Sequence, residues 1–231
     1  MTLAAVTFDV THTLLQCPAL GEQYAEVLAR HGIVVSPRDI EATIPLVWQE
    51  LACSAEPSRD RFLHHPRGAR GFWQQFVERT CALLEVGVPS RFAAVELYDR
   101  FARAEAWEVE PGARSTLGEL KLRGLQLGIV SNWDERLPLL LERVGLAPFF
   151  DVVAVSSLVG VEKPHPGIFR YALERLGVAA GDAVHVGDSV RDDIEGARAA
   201  GMAALHLVPA GGGDLTSLAD LPAALARLRW R

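Results

Sequence analysis

Hydrophobic and polar positions along this chain follow two periods that take turns. Short, mostly apolar runs of the kind that form strands buried on both faces occur at Leu3–Phe8, Leu125–Val130, Asp151–Val155, Ala183–Val186 and Ala203–Val208. Between the later runs the apolar residues take up helical spacing. This predicts helices over Ala113–Arg123, Leu137–Val144, Ile168–Leu176 and Asp193–Ala200, stopping at Gly124, Gly145, Gly177 and Gly201. Strands alternating with helices in this way predict an α/β fold: a doubly wound parallel sheet with helices on both faces.

The stretch after the first strand breaks the alternation. Helical spacing runs through Glu22–Arg30, Pro37–Ala52, Phe72–Leu84 and Phe92–Ala106 with no strand between them, which predicts a helical insertion. The expected division is residues 1–16 and 108–231 for the α/β core and 17–107 for the insertion. A flexible joint, Ala210–Gly213, then precedes a short helix over Leu221–Arg229.

Composition narrows the function classes. With 231 residues, 49% hydrophobic and 23% charged, the chain suffices for a large core or for one domain with a sizeable insertion. A formal net charge of −6 argues against general nucleic-acid binding, which needs a basic face to displace counterions. No segment reads as membrane-spanning. The N-terminal apolar run has no basic segment before it and leads into Asp9 instead of a cleavage site, so a cytoplasmic protein is expected. Cys17, Cys53 and Cys81 are odd in number and lack metal-site spacing, which predicts buried thiols.

Chemistry-bearing residues cluster where strands end. Asp9 follows the first strand, Ser131 and Asn132 the second, and Gly187-Asp188-Ser189 the fourth. In doubly wound sheets ligands bind outside the carboxyl ends of the strands, so these residues share one address. Lys163, in the Pro-rich loop Val161–Pro166, can hold an ammonium over the same place. Each residue alone also has a plain structural reading. Lys163 and Asp188 can form a buried ion pair, Ser131 can cap a helix, and Asp192-Asp193 can sit at a helix N-terminus. Their coincidence at successive strand ends favours a phosphotransfer-type site.

Asp9-x-x-x-Thr13, Ser131-Asn132, Lys163-Pro164 and Gly187-Asp188-Ser189-Val190-Arg191-Asp192-Asp193, in that order, resemble the four motifs of the haloacid dehalogenase (HAD) superfamily. The resemblance covers about residues 1–16 and 108–208 and makes the insertion similar to the family's cap. Cap and first motif look most like the subgroup named after haloacid dehalogenase-like hydrolase domain-containing protein 3. The resemblance implies a Rossmann-like core and a phosphatase of small phosphorylated metabolites that works through an aspartyl-phosphate and Mg²⁺. Asp9 would be the nucleophile. Asp9, Asp188, Asp193 and the Thr11 carbonyl would hold the metal, with Asp192 as the competing register for Asp193. Hard oxygen donors of this kind suit Mg²⁺. Lys163, Ser131 and Asn132 would bind the phosphoryl oxygens and neutralise charge, while Thr13 would fix the turn.

One position departs from the family pattern. Its phosphatases carry a second Asp two residues after the nucleophile, as general acid and base, and here that position is Thr11. Loss of such a group costs about 10²–10⁴-fold in rate. His12, where the family usually has Gly, is the candidate to compensate, although side chains leaving a strand point in different directions and it can instead face the cap or solvent. The chain therefore reads as a phosphatase of low activity. The alternatives are a catalytically silent binding or regulatory protein with a protein partner and, further off, a metal-independent 2-haloacid dehalogenase. Clustered acids argue against the last. His185, within a strand, reads as a packed core residue, and His206 and His31 lack partners at metal spacing. The basic stretch Arg59–Arg70 can clamp an anionic substrate or be a solvated loop. Gly21, Pro111 and Gly112 lie near the crossings into and out of the insertion, where they can permit opening and closing.

Overall fold

The structure, a computed structural model, describes residues 3–53 and 59–228. In chain order its elements are β1 (Ala5–Phe8), β2 (Leu15–Gln16), α1 (Leu20–Arg30), α2 (Pro37–Cys53), α3 (Gly68–Leu83), α4 (Arg91–Arg100), β3 (Glu108–Val109), α5 (Ala113–Leu122) and β4 (Gln126–Ser131). There follow α6 (Leu137–Arg143), β5 (Val152–Val155), α7 (Ser156–Val159), α8 (Pro166–Leu176), β6 (Ala183–Gly187), α9 (Gly196–Ala199), β7 (Ala203–His206) and α10 (Leu221–Arg227). The chain divides into two compact units. One is formed by the described residues up to Gln16 with those from Val109 onward, the other by Cys17–Glu108.

The first unit is the α/β one. Five strands form a parallel sheet in the order β5-β4-β1-β6-β7, with Phe8 opposite Ile129 on one side and Val186 on the other. β1 is thus central, and the chain leaves it toward β4 and β5 before returning past it to β6 and β7. Right-handed crossovers require helices of the outward and return legs to lie on opposite faces. α8 packs on β4 and β5 through a cluster that includes Ala5, Val130, Ala154, Phe169 and Ala172. Both-face burial explains the apolar strands: Val6, Phe8, Leu127, Ile129, Val184 and Val186 are fully enclosed. Truncating Leu127 or Ile129 to Ala costs about 2–5 kcal/mol.

The second unit is helical. α1 to α4 enclose Tyr24, Val27, Leu28, Ile40, Val47, Phe72, Phe76 and Leu97. Trp48, Phe62, Phe72, Trp73 and Phe76 form an aromatic cluster with ring centroids 4.8–6.5 Å apart, the spacing of edge-to-face and offset contacts. Gly21 belongs to this packing: a Cβ there would lie 2.2 Å from the Pro37 carbonyl oxygen, so its close approach to α2 leaves no room for a side chain. No helix among the described residues is long and apolar enough to cross a membrane.

Several element boundaries differ from the sequence expectation. α4 is capped by Ser90 and stops at Arg100 instead of Ala106, because the chain tightens into hydrogen bonds from Ala102 to Asp99 and from Arg103 to Arg100. The helix expected over Asp193–Ala200 is a π turn, Val190–Glu195, continued by α9. β2 and β3 are too short to show a period and pair as a two-stranded ribbon. The Arg229 end of the expected C-terminal helix lies outside the described residues.

Candidate active site

Asp9 sits where β1 ends, its backbone N–H still bonded to the Val186 carbonyl at 2.9 Å. The turn after it is closed by the backbone alone, with the N–H groups of Leu14 and Leu15 donating to the Val10 carbonyl and that of His12 to Leu15. Thr13 helps close this turn through its own N–H, which donates to the Val10 carbonyl at 3.3 Å. Its hydroxyl is buried and has no hydrogen-bond partner among the described residues. His12 takes a left-handed conformation, φ 62°, which accounts for the preference for Gly at such a position. Thr11 lies between Asp9 and His12, half-buried.

Three strand ends and one loop converge on the Asp9 carboxylate. Lys163 Nζ donates to Asp9 Oδ1 at 2.6 Å and to Asp193 Oδ1 at 2.5 Å, and Ser131 Oγ donates to Asp9 Oδ1 at 3.0 Å. All four side chains are almost fully buried. Asp9 Oδ2 accepts no hydrogen bond from a described group, so one oxygen is held and the other is open. Asn132 acts on Lys163 itself: its Oδ1 accepts from the Lys163 N–H at 2.6 Å and its Nδ2 donates to the Lys163 carbonyl at 3.0 Å. An amide expected to bind phosphate is therefore spent mainly on fixing the lysine's backbone.

The π turn decides which acid enters. Ser189 Oγ accepts from the Asp192 N–H at 3.1 Å, and the Ser189 N–H donates to Asp193 Oδ2 at 2.9 Å. Asp193 is thereby drawn inside, 1% exposed, while Asp192 stays at the turn's half-buried edge. Oxygens of Asp9, Asp188 and Asp193 all lie within 4.8 Å of one another.

These carboxylates differ in their electrostatics. Burial opposes ionisation of Asp193, but the Lys163 charge and a hydrogen bond from His185 outweigh it and hold its carboxyl well below the usual range. Burial also opposes charge on Lys163, and Asp193 and Asp9 reverse that effect, so its ammonium is held protonated. For Asp188 the compensation from His12 and Lys163 is too small. Burial, then Asp9 and Asp193, push its carboxyl up to about 6, and it accepts no hydrogen bond among the described residues. Three carboxylates face one ammonium, which leaves two negative charges uncompensated. An all-oxygen donor set with a charge excess of this size fits a hard divalent cation such as Mg²⁺.

Residues 3–201 match the haloacid dehalogenase-like hydrolase family. The chain belongs to that family. It is 37% identical over 202 residues to haloacid dehalogenase-like hydrolase domain-containing protein 3 of Mus musculus, covering 85% of this chain and 78% of the mouse protein. It is 36% identical over 140 residues to ribulose-1,5-bisphosphate 5-phosphatase of Halopiger xanaduensis, covering 59% of each. Among solved structures it resembles a HAD phosphatase from Thermococcus onnurineus, with TM-score 0.64, 27% identity and coverage of 96% and 98% of the two chains. It also resembles a 2-haloacid dehalogenase from Pseudomonas syringae, with TM-score 0.67, 27% identity and coverage of 98% and 99%.

Other residues singled out in the sequence of this HAD-like hydrolase fall outside that carboxylate cluster. His12 is exposed, and its Nδ1 lies 3.0 Å from Gln16 Oε1, whose amide in turn donates to Glu110 at 3.0 Å. In the basic stretch, Arg61 lies over the Trp48 ring, Arg67 donates to Gln74, and Arg70 meets Asp99 and the Tyr98 ring. These guanidinium groups serve the helical unit's own structure. A cavity of about 390 Å³ in that unit is lined by Arg30, Arg100 and Arg103, but Glu26 and Glu96 already pair with the first two. Cys17 and Cys81 are free thiols, pushed by burial up to about 12 and about 11, which leaves them unreactive near neutral pH.

Two partners of the site were not legible as such. His185, read as a core residue, donates to Asp193 from inside β6, and His206 Nε2 lies 2.8 Å from the Asp188 carbonyl oxygen. The available signal was their position, on strands flanking the Gly187–Asp193 motif.

Proposed function

We propose that this chain is a Mg²⁺-dependent phosphatase of small phosphomonoesters that works through an aspartyl-phosphate at Asp9, with slow turnover. The observation that carries the reading is the asymmetry of the Asp9 carboxylate: Oδ1 is fixed by Lys163 and Ser131 while Oδ2 is left without a donor among the described residues. A carboxylate held this way is oriented for in-line attack and is not merely neutralised. Kinship with a phosphatase named for a sugar bisphosphate supports a small phosphorylated metabolite as substrate.

In this reading Asp9 Oδ2 forms the bond to phosphorus as the bond from phosphorus to the ester oxygen breaks. Lys163, whose ammonium has a third N–H beyond those to Asp9 and Asp193, would meet the charge on the phosphoryl oxygens, and the Ser131 hydroxyl would join it by turning from Asp9 Oδ1. Asp188, Asp193, Asp9 and the Thr11 carbonyl are the groups that would hold Mg²⁺, whose chemistry is to offset the charge shared by nucleophile and phosphate. The leaving oxygen must then take a proton, and water must attack the acyl phosphate to release inorganic phosphate and restore Asp9. Thr11 supplies neither an acid nor a base for these steps, so both fall to solvent and are slow.

A metal-free dehalogenase is disfavoured by the uncompensated negative charge, which would repel a carboxylate substrate. The absent acid at Thr11 does favour a second reading, a binding or regulatory protein that keeps the site but turns nothing over. Phosphate release from p-nitrophenyl phosphate and a panel of sugar and triose phosphates, with and without Mg²⁺, separates them. Wild-type release that vanishes in Asp9→Asn supports the phosphatase, and wild-type release no higher than that of Asp9→Asn on every substrate refutes it.

A further inference from the structure

His185 is fully buried in β6, and the reaction outlined above gives it no step. Its hydrogen bonds nevertheless define its chemical state. Nε2 lies 3.1 Å from Asp193 Oδ1 and Nδ1 lies 2.9 Å from Thr7 Oγ1. Asp193 also receives the Lys163 ammonium and the Ser189 N–H, so it is an ionised acceptor, and His185 Nε2 must carry a hydrogen. The Thr7 hydroxyl is likewise enclosed, and among the described residues it has no acceptor other than His185 Nδ1. Were Nδ1 protonated, that hydroxyl hydrogen would be buried without a partner, which is unfavourable. The ring is therefore the neutral Nε2–H tautomer.

The sheet register makes this contact possible. Thr7 and His185 are paired residues on the adjacent parallel strands β1 and β6, and Thr7 lies two positions before Asp9 on the same face of β1. The chain of bonds runs from Thr7 through His185, Asp193 and Lys163 to Asp9. It begins and ends on β1.

We propose that His185, pinned by Thr7, is a positioning residue that fixes the rotation of the Asp193 carboxylate and so sets both the Lys163 bridge to Asp9 and the cation position. Three donors from three directions hold Asp193: Lys163 and His185 on Oδ1, the Ser189 N–H on Oδ2. Groups that orient metal-binding carboxylates in this way are worth about 10–100-fold in metal affinity. The proposal rests on the Mg²⁺ phosphatase reading for the identity of the cation and on hydrogen-bond geometry for everything else.

The test needs no substrate. Mg²⁺ affinity is measured by titration calorimetry on wild type, His185→Gln and His185→Phe, with thermal melting as the folding control. The His185 tautomer is read from ¹⁵N-histidine correlation spectra of wild type and Thr7→Val. His185→Phe is expected to lose about 10–100-fold in Mg²⁺ affinity, and His185→Gln, whose amide can reach Asp193, to recover most of it. Wild type is expected to show Nε2 protonated and Nδ1 bare, and Thr7→Val to keep Nε2 protonated by its bond to Asp193 while the Nδ1 signal shifts on loss of the Thr7 hydroxyl.

A folded His185→Phe protein with wild-type Mg²⁺ affinity, or an unchanged His185 signal in Thr7→Val, overturns the proposal. If His185→Phe does not fold, His185→Gln and Thr7→Val still decide it. Wild type that releases no phosphate while the Mg²⁺ affinities split as expected defeats the phosphatase reading and leaves the positioning role intact. A wild type that binds no Mg²⁺ overturns both.

Discussion

Asp193 occupies the space that a side chain on Gly187 would fill: a Cβ at residue 187 would lie 2.2 Å from Asp193 Cγ and 2.4 Å from its Oδ2. Gly187 closes β6 and Asp193 returns over it from the π turn, so absence of a side chain at one residue is a condition for placing the other. Gly187→Ala should therefore displace the carboxylate at a fold cost of about 1–3 kcal/mol, typical of overpacking. Mg²⁺ affinity and phosphate release should both fall at least tenfold, more than that stability loss explains. A variant that melts near wild type and binds Mg²⁺ normally would show that the carboxylate relaxes without consequence.

The raised Asp188 carboxyl gives a pH dependence whose sign can be worked out. In the cation-free fold it protonates near 6, and in the unfolded chain near the ordinary 3.8. Below about pH 3 both states hold the proton and the group contributes little. As pH rises from 3.8 the unfolded chain gives up its proton while the folded state resists, so the penalty grows up to about pH 6 and is complete above it. Asp188→Asn should then be more stable than wild type in EDTA at pH 7, by about 2 kcal/mol after allowance for its partial solvation, and about equal at pH 3. Taking the difference cancels His185, whose burial lowers its own value and acts in the opposite direction. Mg²⁺ should reverse the order at pH 7, because it binds wild type. Melting curves in which Asp188→Asn is the less stable protein at pH 7 without cation would contradict this account.

Which parts of this site could be read from the sequence follows from where each residue sits. Asp9, Ser131 and Asp188 each interrupt or end an apolar run, and Lys163 stands in a proline-rich loop, so local pattern exposes all four. Asp193 was distinguishable from Asp192 only by the π turn, whose extra residue per turn no helical period anticipates. Thr7 and His185 look like ordinary strand positions. Their meeting depends on register between β1 and β6, which are 178 residues apart in the chain at that pair. The arginines of 59–70 were legible as a basic stretch, but whether a guanidinium faces a substrate or its own unit is decided by partners such as Trp48, Gln74 and Asp99.

His12 carries backbone strain that separates two of its substitutions. A side chain in the left-handed region costs about 1–2 kcal/mol, and Ala retains that strain while Gly removes it. Both lose the contact to Gln16. His12→Gly should consequently be more stable than His12→Ala by about 1 kcal/mol in denaturant melts. Phosphate release should stay within about twofold of wild type in both, because the proton transfers fall to solvent and not to His12. A loss of about 10²-fold in both variants would identify its ring as the replacement acid.

Thr11 is the position at which activity can be gained. Asp9, Ser131, Lys163, Asp188 and Asp193 already converge, so the group lacking for proton transfer is an acid two residues beyond Asp9. Thr11→Asp should raise turnover on a small phosphomonoester by about 10²–10⁴-fold, the usual contribution of a general acid and base. The gain should appear chiefly in kcat, since protonation of the leaving oxygen and activation of water are transition-state events and not binding ones. It should also disappear in the double variant with Asp9→Asn, because the new acid can only serve an ester that Asp9 attacks. Retention of the gain without Asp9 would mean that Thr11→Asp acts by some other route. No gain at all would mean that the site's geometry, and not only its proton supply, has departed from phosphatase chemistry.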